Sequence, residues 1–185
     1  MPQDKSWSGW QGPVVVGNHK YRFAPGPKKC DGTTLWPVSV AMATELALNP
    51  VQRSCVDVGC GYGLIGMVTG GTLIEHDSVV IPVLRKTLTL NDSDCELIEQ
   101  DWREVSGAWD CIYGSEVAYD SYKGLVGFID CCWTRKGDCL FGMSLARRMG
   151  AQFERELTER KIAFVYETKQ FGELQYGLWR LNGGR

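Results

Sequence analysis

The 185-residue chain is long enough for one domain with its own hydrophobic core, and 44% hydrophobic with 23% charged residues is a globular composition that excludes extensive disorder. A formal net charge of −2 gives no broad basic surface, which disfavours nucleic acid as a partner. No basic-then-apolar leader and no apolar run of about 18 residues occurs, so we expect a cytoplasmic protein that does not enter a membrane.

The first predicted element is a β-hairpin at 14–23, because two β-prone runs flank the turn pair Gly17-Asn18. With the turn-rich stretch that follows, it forms a small N-terminal accessory over 1–32. Thr33 or Thr34 is then predicted to cap a helix over 35–48, which has apolar residues at helical spacing. We expect 1–185 to be a single domain whose core is 33–185.

Strands and helices alternate through the rest of the chain. In order, we predict a strand at 54–58, a helix at 64–69, a strand at 72–75, a helix at 79–90 capped by Asp77 or Ser78, strands at 95–100 and 109–115, a helix at 122–133, a strand at 138–144, a helix at 149–160 and strands at 162–168 and 174–181. This order predicts an α/β, Rossmann-like, doubly wound fold. Its seven-stranded sheet is mostly parallel with helices on both faces, and the final strand is antiparallel because no helix precedes it.

The eight cysteines are predicted to be reduced thiols, mostly in the core, because no pair has C-x-x-C spacing. The two histidines, His19 and His76, have no metal-ligand spacing to them. We therefore predict no metal site.

Ligands of open α/β sheets bind beyond the carboxyl ends of the strands, so the residues after each predicted strand are the candidates. The loop 59–63, G-C-G-Y-G, follows the first core strand and opens a helix, where free N–H groups suit a polar cofactor. Gly61, Gly63 and Gly66 also fit the dinucleotide fingerprint, so a nicotinamide or flavin cofactor stays an alternative. The acidic Asp57 inside the strand and the lack of room for a separate substrate domain oppose that alternative.

Acidic and aromatic residues follow the next two strands. Glu75 is placed to accept hydrogen bonds from the two hydroxyls of a ribose, whereas its rival Asp77 is better explained as a helix cap. Asp101 can accept from an adenine amino group, and Trp102 offers an apolar face to the purine. These residues and the glycine loop together predict a nucleoside-bearing cofactor.

These segments resemble the seven-β-strand class I S-adenosylmethionine-dependent methyltransferases, and among them the small protein-lysine methyltransferases of the valosin-containing-protein and calmodulin type. The resemblance covers nearly the whole chain. It rests on L-W-P (35–37), V-D-V-G-C-G-Y-G-L-I-G (56–66), T-L-T-L-N (87–91), D-W (101–102) and G-S-E-V-A-Y-D (114–120). That family usually has Asp at the positions of Glu75 and Glu116, so the carboxylates are kept but displaced by one methylene.

The resemblance implies S-adenosylmethionine (SAM) as cofactor, with Trp36 closing over it, the glycine loop on its methionine part, Glu75 on the ribose, Trp102 on adenine and Ser115 at the border. The cofactor-binding residues are then Trp36, Asp57, Gly59, Cys60, Gly61, Gly63, Glu75, Asp101, Trp102 and Ser115. A lysine acceptor must lose a proton before attack, and the candidates for this catalytic role are Glu116, Tyr119 and Asp120.

A protein lysine is thus the expected acceptor, and the enzyme is expected to be a monomer. Two alternatives remain: a methyltransferase of small-molecule amines, and a binding module without catalysis that uses the same fold. Methyltransferases of base amines or glutamine amides usually carry N/D-P-P-Y after the fourth strand. This chain has G-S-E-V-A-Y there, which disfavours such acceptors.

Overall fold

The computed structural model describes residues 12–27, 30–50, 52–117, 122–145 and 150–183. Within these ranges the strands and helices alternate largely as predicted. The strands are β1 (Val14–Val16), β2 (His19–Tyr21), β3 (Cys55–Val58), β4 (Thr72–Ile74), β5 (Leu97–Ile98), β6 (Cys111–Ser115), β7 (Cys139–Ser144), β8 (Phe164–Phe171) and β9 (Leu174–Leu181). The helices are α1 (Pro37–Leu48), α2 (Leu64–Thr69), α3 (Ile81–Leu90), α4 (Tyr122–Cys132) and α5 (Gly150–Glu159).

The seven-stranded sheet has the order β5-β4-β3-β6-β7-β9-β8, and the separate hairpin pairs β1 with β2. The strands β3 to β7 are parallel, and β9 is antiparallel to both its neighbours, which confirms the predicted sheet. After β3 and β4 the chain continues outward to β5, and then returns to the other side of β3 for β6. The carboxyl ends of β3 and β6 therefore flank the switch point, where open α/β sheets form their ligand crevice.

Both faces of the sheet are covered because β3 and β6 alternate their side chains between two apolar clusters. On one face, Val56 and Ile112 pack with residues of α4 and α5. On the other, Cys55 and Tyr113 pack with residues of α1 and α2. The first cluster also includes Trp102. The strand ends are thereby held rigidly at the centre of the protein.

The start of α1 differs from the prediction. The helix begins at Pro37, and neither threonine caps it, because Thr33 and Thr34 lie in a 3₁₀ turn over Asp31–Thr33 and just after it. Their hydroxyls donate to backbone oxygens, including that of Cys30. Proline at the first helical position needs no N–H partner, so it can begin a helix without a side-chain cap.

Other boundaries also differ. The helix α3 begins at Ile81, and Asp77 accepts a 2.7 Å hydrogen bond from the Val79 N–H, so it caps the turn before the helix. The strand predicted at 95–100 is reduced to the two residues of β5 at the sheet edge. A very short edge strand presents few unpaired backbone groups to solvent.

The eight cysteines are free thiols. Cys55, Cys111, Cys132 and Cys139 are buried as predicted, whereas Cys131 is exposed near the end of α4. Within the described ranges, no group of three or more His, Cys, Asp or Glu is arranged to hold a metal ion. Nor does any helix in those ranges have the length and apolar character needed to cross a membrane.

Candidate functional site

A cavity of about 260 Å³ lies at the switch point, beyond the carboxyl ends of β3, β4 and β6. Its walls come from the loops after these three strands, from the segment that precedes α1 and from Trp102. The described residues that line it are Asp31, Gly32, Thr34, Leu35, Trp36, Ser39, Asp57, Gly59, Cys60, Gly61, Tyr62, Leu64, Ile65, Glu75, His76, Asp77, Val80, Trp102, Ser115, Glu116 and Val117.

The glycine loop needs its glycines for two physical reasons. Gly59 and Gly61 have φ angles of 59° and 54°, in the left-handed region that side chains disfavour. A Cβ on Gly59 would also lie 2.8 Å from Val117 Cγ1, and one on Gly61 would lie 2.9 Å from the carbonyl oxygen of Gly32. The loop is therefore packed against two other walls of the cavity, and its backbone faces the interior.

Glu75 holds the loop and the strand end together. Its Oε2 accepts a 3.0 Å hydrogen bond from the Gly61 N–H, and its Oε1 accepts from the N–H groups of His76 (2.9 Å) and Asp77 (3.1 Å). The residue is only 6% exposed. A carboxylate has about four lone-pair positions, so the backbone takes three and leaves one for a further donor.

Asp57 lies beneath the loop, at 2% exposure, and its Oδ2 accepts a 3.0 Å hydrogen bond from the Gly66 N–H in α2. Burial and, to a smaller extent, the nearby Glu75 raise the pKa of this carboxyl to about 7, against the effect of the Gly66 hydrogen bond. Burial disfavours the charged form of a carboxyl, and a neighbouring negative charge acts in the same direction. Asp57 is thus poised between its two protonation states at neutral pH.

The segment before α1 forms the outer wall. Trp36 donates from Nε1 to the carbonyl oxygen of Asp31 at 3.1 Å, which fixes the indole relative to the 3₁₀ turn. Earlier in the chain, the Ala24 N–H donates a hydrogen bond to Thr87 Oγ1 in α3, and the Tyr62 hydroxyl donates one to the Ala24 carbonyl oxygen. These bonds keep the segment over the glycine loop.

Trp102 and Asp101, neighbours in sequence, differ in position. Trp102 lines the cavity and packs edge-on against Phe128 with ring centroids 6.3 Å apart. Asp101 is not among the lining residues; its carboxylate binds the Arg103 guanidinium, and this hydrogen bond holds the pKa of the Asp101 carboxyl well below its usual range. Trp102 thus lies in the cavity and its contact to adenine stays a prediction, whereas the carboxylate of Asp101 binds Arg103.

The loop after β6 presents Ser115, Glu116 and Val117 to the cavity. Glu116 has a φ of 59°, a strained conformation for a residue with a side chain, and is 4% exposed. Its N–H donates to the Gly142 carbonyl, and its Oε1 accepts from the Ser144 N–H, both at 2.8 Å. Two hydrogen bonds to β7, one from the backbone and one to the side chain of Glu116, thus hold this unusual conformation and the position of the carboxylate at the cavity.

The cavity is strongly acidic. Five carboxylates line it, and no lysine or arginine does so among the described residues; the acids are Asp31, Asp57, Glu75, Asp77 and Glu116. Walls of one charge sign attract ligands of the opposite sign. The cavity therefore favours a cationic ligand over a phosphate or a carboxylate.

Most predicted site residues meet in this cavity. Those that line it are Trp36, Asp57, Gly59, Cys60, Gly61, Glu75, Trp102, Ser115 and Glu116. Gly63 instead precedes α2, where a Cβ would lie 2.9 Å from Leu84 Cδ1, so its role is in packing. Tyr119 and Asp120 lie outside the described residues.

Several residues that line the cavity were not predicted from the sequence. His76 lies between the candidates Glu75 and Asp77, just after a predicted strand, so the position of strand ends could have indicated it. Asp31 and Gly32 carried no such signal, because they reach the cavity only when the N-terminal segment folds over the glycine loop.

No model of a known protein family matches the sequence, and no curated protein matches it significantly. The fold, however, is that of many solved methyltransferases. One is magnesium protoporphyrin IX methyltransferase from Synechocystis PCC 6803 with bound SAM, at a TM-score of 0.63 and 9% identity, with 78% of this chain and 77% of the other covered.

Two further structures show the same fold. The precorrin-6y C5,15-methyltransferase of Geobacter metallireducens GS-15 has a TM-score of 0.61 and 13% identity, with 86% of this chain and 93% of the other covered. The ribosomal protein L11 methylase of Lactobacillus delbrueckii subsp. bulgaricus has a TM-score of 0.58 and 17% identity, with 77% of this chain and 75% of the other covered. These proteins are named for very different acceptors, so the fold alone does not indicate the acceptor of this chain.

Proposed function

We propose that this chain is a SAM-dependent methyltransferase whose acceptor is a lysine side chain of a protein. The observation that carries the proposal is the acidic cavity at the switch point of a methyltransferase fold. A sulfonium cofactor and an amine acceptor are both cations before reaction, and the cavity offers carboxylates to both. The protein-lysine acceptor is supported further by the motifs around L-W-P and G-S-E-V-A-Y-D.

The residues present fit this cofactor. The bare glycine backbone can contact its methionine part, the remaining lone pair of Glu75 can accept from the ribose, and Trp102 can lie against adenine. When bound, SAM supplies a methyl group on a positively charged sulfur, which is already activated for transfer. The protein has then to orient the acceptor in line and exclude water.

Glu116 is the described carboxylate best placed to take the acceptor's proton, because it is held at the end of β6 and lines the cavity. An ammonium cannot attack, so its proton must leave before the nitrogen displaces the methyl group from sulfur. Tyr119 and Asp120 remain predictions for the same role.

The enzyme class and the acceptor are tested together by incubating the purified protein with methyl-labelled SAM in a cell lysate. We expect label in protein, recovered as methyl-lysine after complete hydrolysis. Label confined to small molecules would favour the small-amine alternative. If calorimetry showed no binding of SAM or S-adenosylhomocysteine at millimolar concentration, the binding-module alternative would replace the enzyme.

Replacing Glu116 with glutamine tests the proton acceptor. The amide oxygen can still accept from Ser144, but it cannot take a proton at neutral pH. We expect kcat to fall about 10- to 1000-fold at pH 7.5 with cofactor affinity unchanged. The deficit should shrink above pH 10, where a lysine acceptor is already largely neutral.

The matched control is Glu104→Gln, which changes an exposed glutamate that does not line the cavity. Its kcat should equal that of the unmodified protein. A deficit in Glu116→Gln that stayed constant across the pH range would argue for a structural role instead.

A further inference from the structure

A second, larger cavity of about 940 Å³ lies at the opposite end of the sheet. Arg53 precedes β3, Cys111 opens β6 and the segment 135–138 precedes β7, so the cavity is at the amino ends of these strands. The described residues that line it are Glu45, Leu46, Asn49, Arg53, Cys111, Tyr113, Arg135, Lys136, Gly137, Asp138, Leu140, Arg180 and Gly183. Its volume is within the usual range for small-molecule sites.

The walls of this cavity carry the opposite charge to those of the candidate active site. Four basic residues line it against two acids. Arg180 binds both acids, with its Nη2 3.0 Å from Glu45 and its Nη1 3.6 Å from Asp138. Both carboxylates of the cavity are thus paired with Arg180. The other three basic side chains that line it, Arg53, Arg135 and Lys136, have no acidic partner among the lining residues.

These three cations lie close together. The Arg53 guanidinium donates to the carbonyl oxygen of Lys136, so the two residues are adjacent. Lys136 is exposed, and its ammonium has no acidic partner in the described part of the chain. Arg135 lies beside them, over the Trp133 ring at 5.3 Å, and contacts Asp130 of α4 outside the cavity.

Cys111 also lines this cavity. Cys111 lies directly opposite Cys55 on β3, with Tyr113 two residues further along β6. Hydrogen bonding with Cys55 and then with Tyr113 lowers the pKa of the Cys111 thiol, and the charge of Arg53 adds a smaller effect in the same direction.

We propose that this cavity is a ligand site for a small polyanion whose carboxylate or phosphate groups are held by Arg53, Lys136 and Arg135. Arginine forms paired hydrogen bonds with such groups, and lysine adds a point charge. The volume of the cavity and its modest excess of positive charge fit a small molecule better than a nucleic acid, which needs a broad basic surface.

The test measures thermal unfolding and calorimetric binding with two probes, pyrophosphate and citrate, at constant ionic strength. We expect saturating probe to raise Tm by about 2–4 °C. Pyrophosphate binding alone would assign the site to phosphate groups, and citrate binding alone to carboxylates. If neither probe bound at about 10 mM, a concentration above the Kd of most weak specific complexes, the proposal would be overturned.

Variants locate the site. Lys136→Gln and Arg53→Gln should each weaken probe binding about fivefold or more, since each removes one charged contact. Lys86→Gln, an exposed lysine of α3 that lines neither cavity, should bind the probe as the unmodified protein does. Lys136 is exposed, so its replacement should leave folding and S-adenosylhomocysteine affinity intact. Equal probe affinity in Lys136→Gln and Lys86→Gln would place the anion elsewhere and refute the proposal.

Discussion

Replacing Glu75 with alanine is expected to weaken S-adenosylhomocysteine binding by about 100- to 1000-fold. The carboxylate accepts hydrogen bonds from three backbone N–H groups of the cavity wall, and its remaining lone pair is the proposed ribose contact. Hydrogen bonds to charged groups contribute about 1.5–3 kcal/mol each, so losing the ribose contact together with the loop geometry accounts for this range. Isothermal titration calorimetry measures the effect directly.

Two further variants separate charge from length. Glu75→Gln keeps the length of the side chain, but its amide N–H₂ group faces backbone N–H groups, which are also donors. We therefore expect it to weaken binding nearly as much as Glu75→Ala does. Glu75→Asp restores the residue usual in the resembled family and should stay within about tenfold of the unmodified protein. Glu99→Ala, which removes a surface glutamate paired with Arg85, serves as the control and should not change affinity. Unchanged affinity in Glu75→Ala would contradict the proposed cofactor site.

Replacing Asp57 with asparagine is expected to stabilise the protein at pH 8 while weakening SAM binding. Burial raises the pKa of the folded carboxyl to about 7 from an ordinary value of 3.8. Between these two values the folded state binds more protons than the unfolded state, so this group's contribution to stability falls as pH rises from about 4 to 7. The destabilisation that the buried, ionised Asp57 carboxylate causes is therefore fully present above pH 7.

A shift of about three pKa units corresponds to at most about 4 kcal/mol. Asparagine removes the charge and keeps an acceptor for the Gly66 N–H, but its amide N–H₂ must be buried, so we expect a net gain of about 1–3 kcal/mol at pH 8. Urea unfolding at pH 5 and pH 8 measures the difference. The gain should be smaller at pH 5, where the folded wild-type carboxyl is mostly protonated. A gain independent of pH would exclude ionisation of Asp57 as its cause.

The same substitution should change the pH dependence of cofactor affinity. A bound cation favours the ionised carboxylate, so wild-type affinity for SAM should rise through pH 7, and the Asp57→Asn variant should lose this rise. Stability gained at the expense of binding is the usual signature of a charge buried for function. A pH profile that was identical in both proteins would assign the effect to another group.

Much of the candidate site was predictable because it follows from the order of the strands. Gly59 directly follows a predicted strand, Glu75 and Ser115 each end one, and parallel strands bring such positions to one edge of the sheet. Asp101 shows where this reasoning ends. Its position after a strand is the same, but Arg103 folds back onto its carboxylate, and a contact of that kind depends on the path of the loop.

The sequence by itself determined the alternation of strands and helices, the parallel sheet with its antiparallel final strand, and the glycine loop, because these depend on hydrophobic periodicity and local backbone preferences. The tertiary structure decided what depends on residues distant in sequence. It placed the turn at Asp31–Thr33 on the glycine loop, buried Asp57 deeply enough to raise its pKa, and gathered acids at one end of the sheet and bases at the other. Burial and long-range electrostatics exist only once the chain has folded, so no local pattern encodes them.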